Sequence, residues 1–418
     1  MQEQVRNPSL PSKLASCRSC SGTHLATFLD LGVQPIANAL LDEDHLHDPE
    51  PKFPLELAFC HDCSLVQVTQ TIPPDVLFGR DYPYYSSFSP ALLEHSRDHV
   101  RAILAQRKLG RDSLVVEVAS NDGYLLRNFV EAGIPVLGID PAAGPAAAAR
   151  DRGVPTLQAF FGVRLARELL AQGTQADVMI ANNVVAHVDA INDFVGGFAV
   201  LLKEDGFARL EFAYLRDLIE KCEFDTIYHE HLFYHSISAI EPLFLRHGLY
   251  LNDAERLQIH GGSLRVTISK RPGSSERLSS LRQEEAALGM QHISYYASFS
   301  SRVAQLRDRL VNLLQEERGK GARIAAYGAA AKGATLLNYV ELGRDVIEFV
   351  VDRNSHKVGK YMPGAKLPIR SVDSLMSERP DYVLILAWNF GAEIIRQNSD
   401  YSQQGGRFIL PVPEPRIV

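Results

Sequence analysis

Four of the five cysteines form two Cys-x-x-Cys pairs, Cys17 with Cys20 and Cys60 with Cys63. Each pair can fold around one metal ion as a turn that offers two thiolates, and two such turns complete the tetrahedral four-sulfur shell of a structural zinc ion. A redox pair would be single and would open a helix in a βαβ unit, whereas 39 residues of irregular sequence separate these two pairs. The spacing therefore favours a zinc site, with two disulfides or free core thiols as the alternatives.

A second set of chemical groups lies where two short apolar runs end. The run 113–118 contains Glu117 and leads into the small, polar segment Ser120-Asn121-Asp122-Gly123, and a second run ends in Asp140. Small residues allow a ligand to approach the backbone, and a carboxylate at the end of the second strand can accept hydrogen bonds from both hydroxyls of a ribose. A pyrophosphate would require Gly-x-Gly-x-x-Gly, which is absent here, so the pattern favours S-adenosylmethionine over NAD. The alternative is that Asp140 only caps a turn.

Four residues that can ionise or hydrogen-bond follow one another at Tyr228-His229-Glu230-His231, downstream of the apolar run 207–212. Such a cluster can remove a proton from a carbon next to a carbonyl group, and the charge then settles on the oxygen as an enolate. A histidine that titrates near neutrality is a suitable base, and a tyrosine or a second histidine can donate to the enolate oxygen. The alternatives for this cluster are a metal site and a polar surface turn.

The segment 328–335 places small residues and Lys332 between a short apolar run and a helix-forming stretch. Such a turn allows a diphosphate to rest on backbone N–H groups at the start of a helix. It is not a P-loop, because the lysine precedes the second glycine. Asp352, at the end of the next run, is in position to meet a ribose, and Lys357 and Lys360 can assist the phosphates, although each of the three can also be an ordinary surface residue. Taken alone, this segment also fits NAD.

Short β-branched runs alternate with helix-forming segments in two stretches of the chain. The first series lies at 113–118, 136–140, 177–180 and 207–212, and the second at 323–328, 346–352 and 382–387. Between them, residues 275–320 have the spacing of an amphipathic linker helix, with apolar Val303, Leu306, Leu310, Leu313 and Leu314. We therefore expect an α/β fold, with a zinc-binding module over residues 1–75 and two doubly wound Rossmann-like α/β domains over 76–272 and 273–418.

Composition excludes several classes of protein. The 418 residues are 46% hydrophobic and 22% charged, which is enough for two or three domains. A net charge of −7 without a basic block lacks the electrostatic pattern of nucleic-acid binding. The chain shows no signal-peptide pattern and no apolar run of about 18 residues, so we expect no membrane contact and a cytoplasmic location.

Together these motifs resemble those of the sugar C-methyltransferases, enzymes that add a methyl group to a carbon of a nucleotide-linked deoxysugar. The resemblance runs from about Cys17 to Pro411 and includes the zinc pairs and the following segments, in this order: Asp81-Tyr82-Pro83-Tyr84-Tyr85-Ser86-Ser87, Ser120-Asn121-Asp122-Gly123-Tyr124-Leu125-Leu126, Asn182-Asn183-Val184-Val185-Ala186-His187-Val188, Tyr228-His229-Glu230-His231 and Tyr327-Gly328-Ala329-Ala330-Ala331-Lys332-Gly333. One departure is Ala119, which stands where the family pattern has glycine.

The resemblance implies a site for each ligand. S-adenosylmethionine is expected in the middle domain, held by Glu117, Ser120, Asn121, Asp140 and Asn182. A sugar nucleotide is expected between the middle and C-terminal domains, contacted by His229, Lys332 and Asp352. The catalytic set comprises His231 as the base, Tyr228 and Glu230 as groups that shape the site, and His187 and Tyr82 from their own loops, with Tyr84 and Tyr85 competing for the inward position of Tyr82.

The function expected from this resemblance is methylation at C3 of a nucleoside-diphosphate 4-keto-deoxysugar, thymidine-linked, through an enolate. The protein is expected to be a monomer or a small homo-oligomer that uses S-adenosylmethionine and carries Zn²⁺. An NAD-dependent sugar-nucleotide oxidoreductase is the alternative enzyme. A zinc-bearing binding module without catalysis is a further alternative, against which the Tyr228 to His231 cluster argues.

Overall fold

The computed structural model describes residues 13–72 and 85–418, which form three β-sheets and the helices around them. Tyr82 and Tyr84 lie outside the described residues, so the predicted role of Tyr82 stays a prediction. Three helices begin at a serine, Ser89, Ser236 or Ser275, whose side chain accepts a hydrogen bond from the backbone N–H three residues later. Serine at this position satisfies one of the N–H groups that a helix leaves without a partner.

The N-terminal module is built on a four-stranded antiparallel sheet in the order β1-β2-β3-β9. Its strands are β1 (Leu25–Pro35), β2 (Lys52–Cys60), β3 (Val66–Val68) and β9 (Phe233–Tyr234). Every second residue of β2 from Phe53 to Phe59 is a buried apolar residue, the period expected for one face of a strand. The fourth strand comes from far along the chain, because β9 directly follows the Tyr228 to His231 segment.

The middle part of the chain forms a seven-stranded sheet in the order β10-β11-β8-β7-β4-β5-β6. Its strands are β4 (Val115–Val118), β5 (Val136–Ile139), β6 (Thr156–Leu157), β7 (Ala176–Asn182), β8 (Leu202–Ala213), β10 (Tyr250–Leu257) and β11 (Ser263–Ser269). β4 to β8 are parallel, and β11 runs antiparallel between β8 and β10. The predicted doubly wound α/β fold is confirmed, and the antiparallel pair β10–β11 is an addition that the sequence pattern did not reveal.

Helices cover both faces of this sheet and connect its strands. They are α1 (Pro90–Gln106), α2 (Arg127–Glu131), α3 (Ala143–Asp151), α4 (Val163–Ala171), α5 (Ile191–Leu201), α6 (Leu215–Glu220) and α7 (Ile237–Arg246). The interior strand β4 is buried along its whole length, as expected for a parallel strand with helices on both faces.

The linker region contains two helices and not one continuous helix. α8 (Glu276–Leu288) ends at Gly289, whose left-handed backbone (φ +73°) glycine adopts without a steric penalty. α9 (Phe299–Gly319) follows and buries Val303, Leu306, Leu310 and Leu314 on one face. The predicted apolar spacing was therefore correct for α9, whereas the break at Gly289 carried no signal in the periodicity.

The C-terminal part forms a six-stranded sheet in the order β14-β13-β12-β15-β16-β17. The strands are β12 (Ile324–Tyr327), β13 (Val350–Val351), β14 (Ile369–Arg370), β15 (Tyr382–Ile385), β16 (Arg407–Leu410) and β17 (Arg416–Ile417), and the helices are α10 (Ala331–Tyr339), α11 (Ser374–Glu378), α12 (Gly391–Gln397) and α13 (Ser399–Gln403). Numbered within this sheet, the order is 3-2-1-4-5-6, which is the Rossmann order, with only the last strand antiparallel.

The loops at the carboxyl ends of the two parallel sheets meet. The indole N–H of Trp388, after β15, donates to Asp225 across 2.7 Å, and the ring of His260, between β10 and β11, lies 5.9 Å from that of Phe390. Doubly wound sheets bind their ligands at these ends, so the contact region is where a site is expected. Among the helices that the structure describes, none is both long and apolar enough to cross a membrane.

Candidate active site and metal centre

The four predicted cysteine ligands lie together beside the N-terminal sheet. Their sulfur atoms are all within 4.8 Å of one another, and the Sγ atoms of Cys17 and Cys63, and of Cys20 and Cys60, are 3.6 Å apart. Zn–S bonds of about 2.3 Å in a tetrahedron place the sulfurs about 3.8 Å apart, whereas a disulfide requires about 2.05 Å. The four thiols therefore fit one zinc ion.

The two Cys-x-x-Cys turns have the same local structure. The backbone N–H of Ser21 donates to the carbonyl of Cys17, and that of Ser64 to the carbonyl of Cys60, each across 2.8 Å. Both serines have a left-handed backbone, with φ of +63° and +60°. The chain therefore reverses sharply after the second cysteine of each pair, which leaves both thiolates on one side.

The predicted donor residues gather at the carboxyl ends of β4, β5 and β7. Asp140 accepts hydrogen bonds from the backbone N–H of Asn121 and of Ala142, each across 2.8 Å. Asp140 therefore does brace the turn after β4, and each of its oxygens keeps a second lone pair for a ligand. Burial raises the pKa of Asp140, and the two backbone N–H groups oppose that shift.

Several buried polar atoms around this turn fit a polar ligand. Among the described residues, Oε2 of Glu117, Oγ of Ser120 and Oδ1 of Asn182 have no hydrogen-bond partner. Buried polar atoms normally have partners, so atoms of this kind at one edge of a sheet indicate a place for a ligand's own donors. Glu117 is fully enclosed, and burial raises its pKa well above the ordinary value. The chemistry of this set suits the hydroxyl and amino groups of S-adenosylmethionine.

The backbone of the same turn is strained at Ala119, which has φ +54°. A left-handed conformation costs a residue with a side chain roughly 1–2 kcal/mol, and glycine avoids that cost. This explains why glycine suits the position in the family pattern. Alanine keeps the turn with a single extra methyl group.

Tyr228 and His231 form a hydrogen-bonded pair. The Nδ1 atom of His231 lies 3.0 Å from the carbonyl oxygen of Thr226, which can only accept, so Nδ1 carries the proton. Nε2 then accepts from the hydroxyl of Tyr228 across 2.7 Å. Burial, followed by the neighbouring His187, lowers the pKa of His231 well below its ordinary value. His231 is therefore neutral, with its basic lone pair directed at Tyr228.

The structure brings His187 to this pair. The centroids of the His187 and His231 rings are 4.7 Å apart in an edge-on arrangement, and burial lowers the pKa of His187 to about 4. The backbone N–H of Leu232 donates to the carbonyl of Ala186 across 2.7 Å and ties the two loops together. His187 thus lies beside the candidate base as a second neutral imidazole.

His229 points away from the pair and into the N-terminal module. Its Nε2 atom lies 3.2 Å from the carbonyl oxygen of Phe53 and 3.3 Å from that of Pro54, and its ring packs edge-on against the Phe53 ring. The side chain is almost fully buried. The structure therefore gives His229 a contact between domains, and its predicted contact with the substrate stays a prediction.

Glu230 is buried and paired with the N-terminal module. Both of its carboxylate oxygens accept from the amide Nδ2 of Asn38, each across 2.8 Å. Burial raises the pKa of Glu230 to about 7, against the opposing effects of Asn38 and the Lys357 charge. A carboxyl group with this pKa changes its charge near neutral pH.

Lys332 is the second residue of α10 and lies near an acidic cluster. Its Nζ atom donates to Oδ1 of Asn389 across 2.8 Å and lies 4.4 Å from the centroid of the Trp388 ring. Burial lowers the pKa of Lys332, whereas the carboxylates of Asp225 and Glu223 act to raise it. Its ammonium group therefore has acidic neighbours within the protein, and its predicted contact with the diphosphate stays a prediction.

Asp352 repeats the arrangement of Asp140 in the C-terminal sheet. Its oxygens accept from the backbone N–H of Ala329 and of Asn354, each across 2.7 Å. Next to it, Nζ of Lys357 donates to the carbonyl of Ala329 across 2.7 Å. Lys357 is thus fixed at the turn before α10, where burial lowers the pKa of its ammonium group, whereas Lys360 pairs with Asp42 at the surface.

Two acidic residues near the base were missed by the sequence analysis. Burial raises the pKa of Glu223 to about 7 and that of Asp225 to about 6. Oε1 of Glu223 and Oδ1 of Asp225 are buried and have no hydrogen-bond partner in the part of the chain that the structure describes. Their positions flanking apolar Phe224, just before Tyr228, were an available signal, because paired carboxylates in an apolar run are seldom there for packing.

Three family models match successive parts of the chain. A zinc binding domain matches residues 17–78, a methyltransferase domain matches 92–253, and a C-methyltransferase C-terminal domain matches 258–413. The chain is also similar over its whole length to the C-methyltransferase NovU of Streptomyces niveus. The two are 35% identical over 425 aligned residues, which cover 100% of this chain and 99% of NovU.

Solved structures match a smaller part of the chain. One match is magnesium protoporphyrin IX methyltransferase from Synechocystis PCC 6803 with bound SAM, which is 16% identical. The aligned part covers 43% of this chain and 79% of the methyltransferase, with a TM-score of 0.34. The PH0226 protein from Pyrococcus horikoshii OT3 is also 16% identical. The aligned part covers 46% of this chain and 97% of PH0226, with a TM-score of 0.37.

The cysteine cluster predicts one Zn²⁺ per purified chain. Cys60→Ala removes one of four ligands, so we expect a clear loss of zinc and of thermal stability, because metal binding and folding of the module are coupled. Donor affinity should change less. Cys222→Ala is the matched control, since Cys222 is also buried but lies outside the cluster. Metal analysis and thermal unfolding check this, and native protein without zinc would contradict it.

Proposed function

This chain belongs to the C-methyltransferase family, and we propose that it methylates C3 of a thymidine-diphosphate-linked 4-keto-deoxysugar through an enolate. It is an S-adenosylmethionine-dependent enzyme, which displaces the alternative of an NAD-dependent oxidoreductase. The neutral His231, hydrogen-bonded to Tyr228 in the region where the loops of the two sheets meet, is the observation that carries the proposal.

We assign the donor and the sugar nucleotide to the two parallel sheets. Glu117, Ser120, Asn121, Asp140 and Asn182 would hold the donor at the edge of the middle sheet. In the C-terminal sheet, Asp352 would face the nucleoside ribose, and the turn before α10, with Lys357, would face the diphosphate. A negatively charged diphosphate suits this turn, because it offers a helix N-terminus and a buried ammonium group.

The division of the chain follows from this assignment. We propose a zinc-binding module over residues 1–75, a donor-binding domain over 76–272, and a linker with a sugar-nucleotide domain over 273–418. The three sheets support this division, since β10 and β11 belong to the middle sheet and β12 opens the last one. Strand β9 is the exception, because it lies in the middle segment but pairs with β3 of the module.

Proton removal is assigned to His231. Its Nδ1–H group is fixed by the carbonyl of Thr226, so the lone pair of Nε2 is the basic site. When the hydroxyl of Tyr228 turns toward the keto oxygen of the substrate, Nε2 becomes able to take the proton from C3. Burial keeps His231 neutral and therefore ready to accept a proton at neutral pH.

The electrons of the broken C3–H bond move to the keto oxygen at C4, and the enolate charge needs a donor. The Tyr228 hydroxyl is the proposed donor, and a preorganised hydrogen bond in a buried site is worth more than in water. S-adenosylmethionine supplies the electrophilic methyl group when bound. Loss of that methyl group from the sulfonium would balance the new C3–methyl bond, and the proton held on His231 would then leave to solvent.

The two aspartates that brace the ligand turns provide a matched pair of variants. We expect Asp140→Ala to weaken S-adenosylmethionine binding by about 1–3 kcal/mol, the range for a lost charged acceptor, with sugar-nucleotide binding almost unchanged. Asp352→Ala removes two equivalent backbone hydrogen bonds in the other sheet and should give the reverse pattern. Calorimetry with each ligand checks this. Weaker sugar-nucleotide binding in Asp140→Ala would show that the two ligands are assigned to the wrong domains.

The assignment of the base predicts hydrogen exchange without methylation. With a non-methylating donor analogue in D₂O, the wild-type enzyme should exchange the C3 proton of the substrate for deuterium. His231→Asn should lose exchange and methylation together, by about 10²–10⁴-fold, because a general base acts on rate. Binding of both ligands, measured by calorimetry, should be retained. Exchange at the wild-type rate in this variant would make another group the base, with His187 the first candidate.

Tyr228→Phe tests the donor to the enolate separately. Phenylalanine keeps the ring that packs 4.0 Å from His231 but removes the hydroxyl. We expect exchange and methylation to slow together, by up to about 10²–10³-fold, because the enolate loses its hydrogen bond. Slower methylation with exchange at the wild-type rate would show that the hydroxyl acts after the enolate has formed.

A further inference from the structure

Asn38 belongs to the N-terminal module but reaches the Tyr228 to His231 segment. It lies in the loop between β1 and β2, where its carbonyl accepts from the backbone N–H of Leu40 across 2.9 Å. Its side-chain Nδ2 lies 2.8 Å from each carboxylate oxygen of Glu230, which is 192 residues away. One amide group thus spans both oxygens of a carboxylate that is almost fully buried.

The backbone around this contact is held in place on both sides. The N–H of Val68, in β3, donates to the carbonyl of Leu232 across 3.0 Å, and β9 pairs with β3 directly afterwards. His229, the neighbour of Glu230, contacts the carbonyls of Phe53 and Pro54. The backbone on both sides of Glu230 is therefore fixed against the N-terminal module that carries Asn38.

An amide donor favours one charge state of the carboxyl group. A carboxylate accepts at both oxygens, whereas a protonated carboxyl group would turn one O–H toward the amide hydrogens. Hydrogen bonds to the ionised form favour that form. The contact with Asn38 is therefore suited to a Glu230 that carries its negative charge.

We propose that Asn38 is a positioning residue of the active site, which holds the Glu230 side chain of the Tyr228 to His231 segment as an oriented carboxylate. The N-terminal module then takes part in catalysis through this side chain, in addition to binding zinc. This inference rests on the proposed function and on the role in shaping the site that the family resemblance implies for Glu230. Asn38 itself needs no contact with either ligand.

The charges around Glu230 determine the direction of the effect. From the C-terminal domain, the Lys357 ammonium stabilises the carboxylate, and Lys357 in turn interacts with Asp352. From the middle domain, His187 interacts with the backbone of Glu230, and burial keeps the imidazoles of His187, His229 and His231 neutral. Burial places the pKa of Glu230 at about 7, and Asn38 acts to lower it. Removal of the Asn38 amide must therefore raise the pKa of Glu230.

The test is the pH dependence of kcat in the full-length enzyme. Wild-type kcat should rise with pH through a midpoint near the Glu230 pKa. In Asn38→Ala, that midpoint should move up by about one unit or more, since a hydrogen bond to a charged group is worth about 1.5–3 kcal/mol and one unit is 1.36 kcal/mol. The rate at pH 7 should fall and recover in alkaline buffer, with KM for both ligands within about twofold. Asn38→Ser keeps one donor and should shift less.

Asn192→Ala is the matched control. Asn192 also joins the N-terminal module to the middle domain, through Nδ2 contacts of 3.0 Å to the carbonyls of Arg18 and Ser19, but it does not touch Glu230. We expect this variant to lower thermal stability without moving the pH midpoint. If Asn38→Ala and Asn38→Ser lower stability and keep the wild-type midpoint, Asn38 only docks the domains and the inference is wrong.

Glu230→Gln separates this inference from the proposed function. We expect this variant to lose the rise of kcat with pH and to have a low rate at every pH. If Glu230→Gln loses the rise of kcat with pH but Asn38→Ala keeps the wild-type midpoint, the role of Asn38 is wrong and the proposed function stands. If Glu230→Gln keeps the wild-type kcat and its rise with pH, the role of Glu230 is wrong and, with it, the role of Asn38.

Discussion

Burial of the segment from Glu223 to Tyr234 is the constraint on which the rest of the site depends. Polar groups removed from water need partners, and several groups of this segment find them in all three parts of the chain. Asn38 and the carbonyls of Phe53 and Pro54 come from the N-terminal module, Ala186 from the middle domain, and Trp388 from the C-terminal domain. Thr335 of α10 adds a hydrogen bond to the carbonyl of Ile227 across 3.1 Å. A segment held from three directions keeps Tyr228 and His231 in one geometry, as a catalytic group requires.

The same burial selects the chemistry of the histidines. An exposed imidazole is partly protonated near neutral pH, whereas a buried one without a carboxylate partner stays neutral. The pKa values of His187 and His260 both lie at about 4, chiefly because of burial. Carboxyl groups respond in the opposite direction, so Glu223 and Glu230 both have pKa values of about 7. The site therefore combines neutral bases with weak acids, and the charge of Lys332 balances part of the acidic cluster.

Local patterns in the sequence predicted the parts of the structure that are formed by neighbouring residues. The Cys-x-x-Cys turns, the strands ending near Glu117 and Asp140, and the Tyr228 to His231 cluster all depend on short segments. Contacts made only when distant segments pack, such as Asn38 with Glu230 and Trp388 with Asp225, leave no trace in local spacing. His229 and Lys332 show the same limit, because their residue types alone did not reveal the partners within the protein that the fold gives them.

The late origin of β9 affects how the N-terminal module is made during synthesis. The sheet β1-β2-β3 carries its cysteine ligands by residue 63, yet the strand that covers the edge of β3 begins only at Phe233. In between lie 164 residues, from Thr69 to Leu232. At ribosomal rates of about 5–20 residues per second, the edge of β3 stays unpaired for roughly 10–30 s. An open strand edge is a template for pairing with other chains, so the nascent module is exposed to aggregation until the active-site segment emerges and closes it.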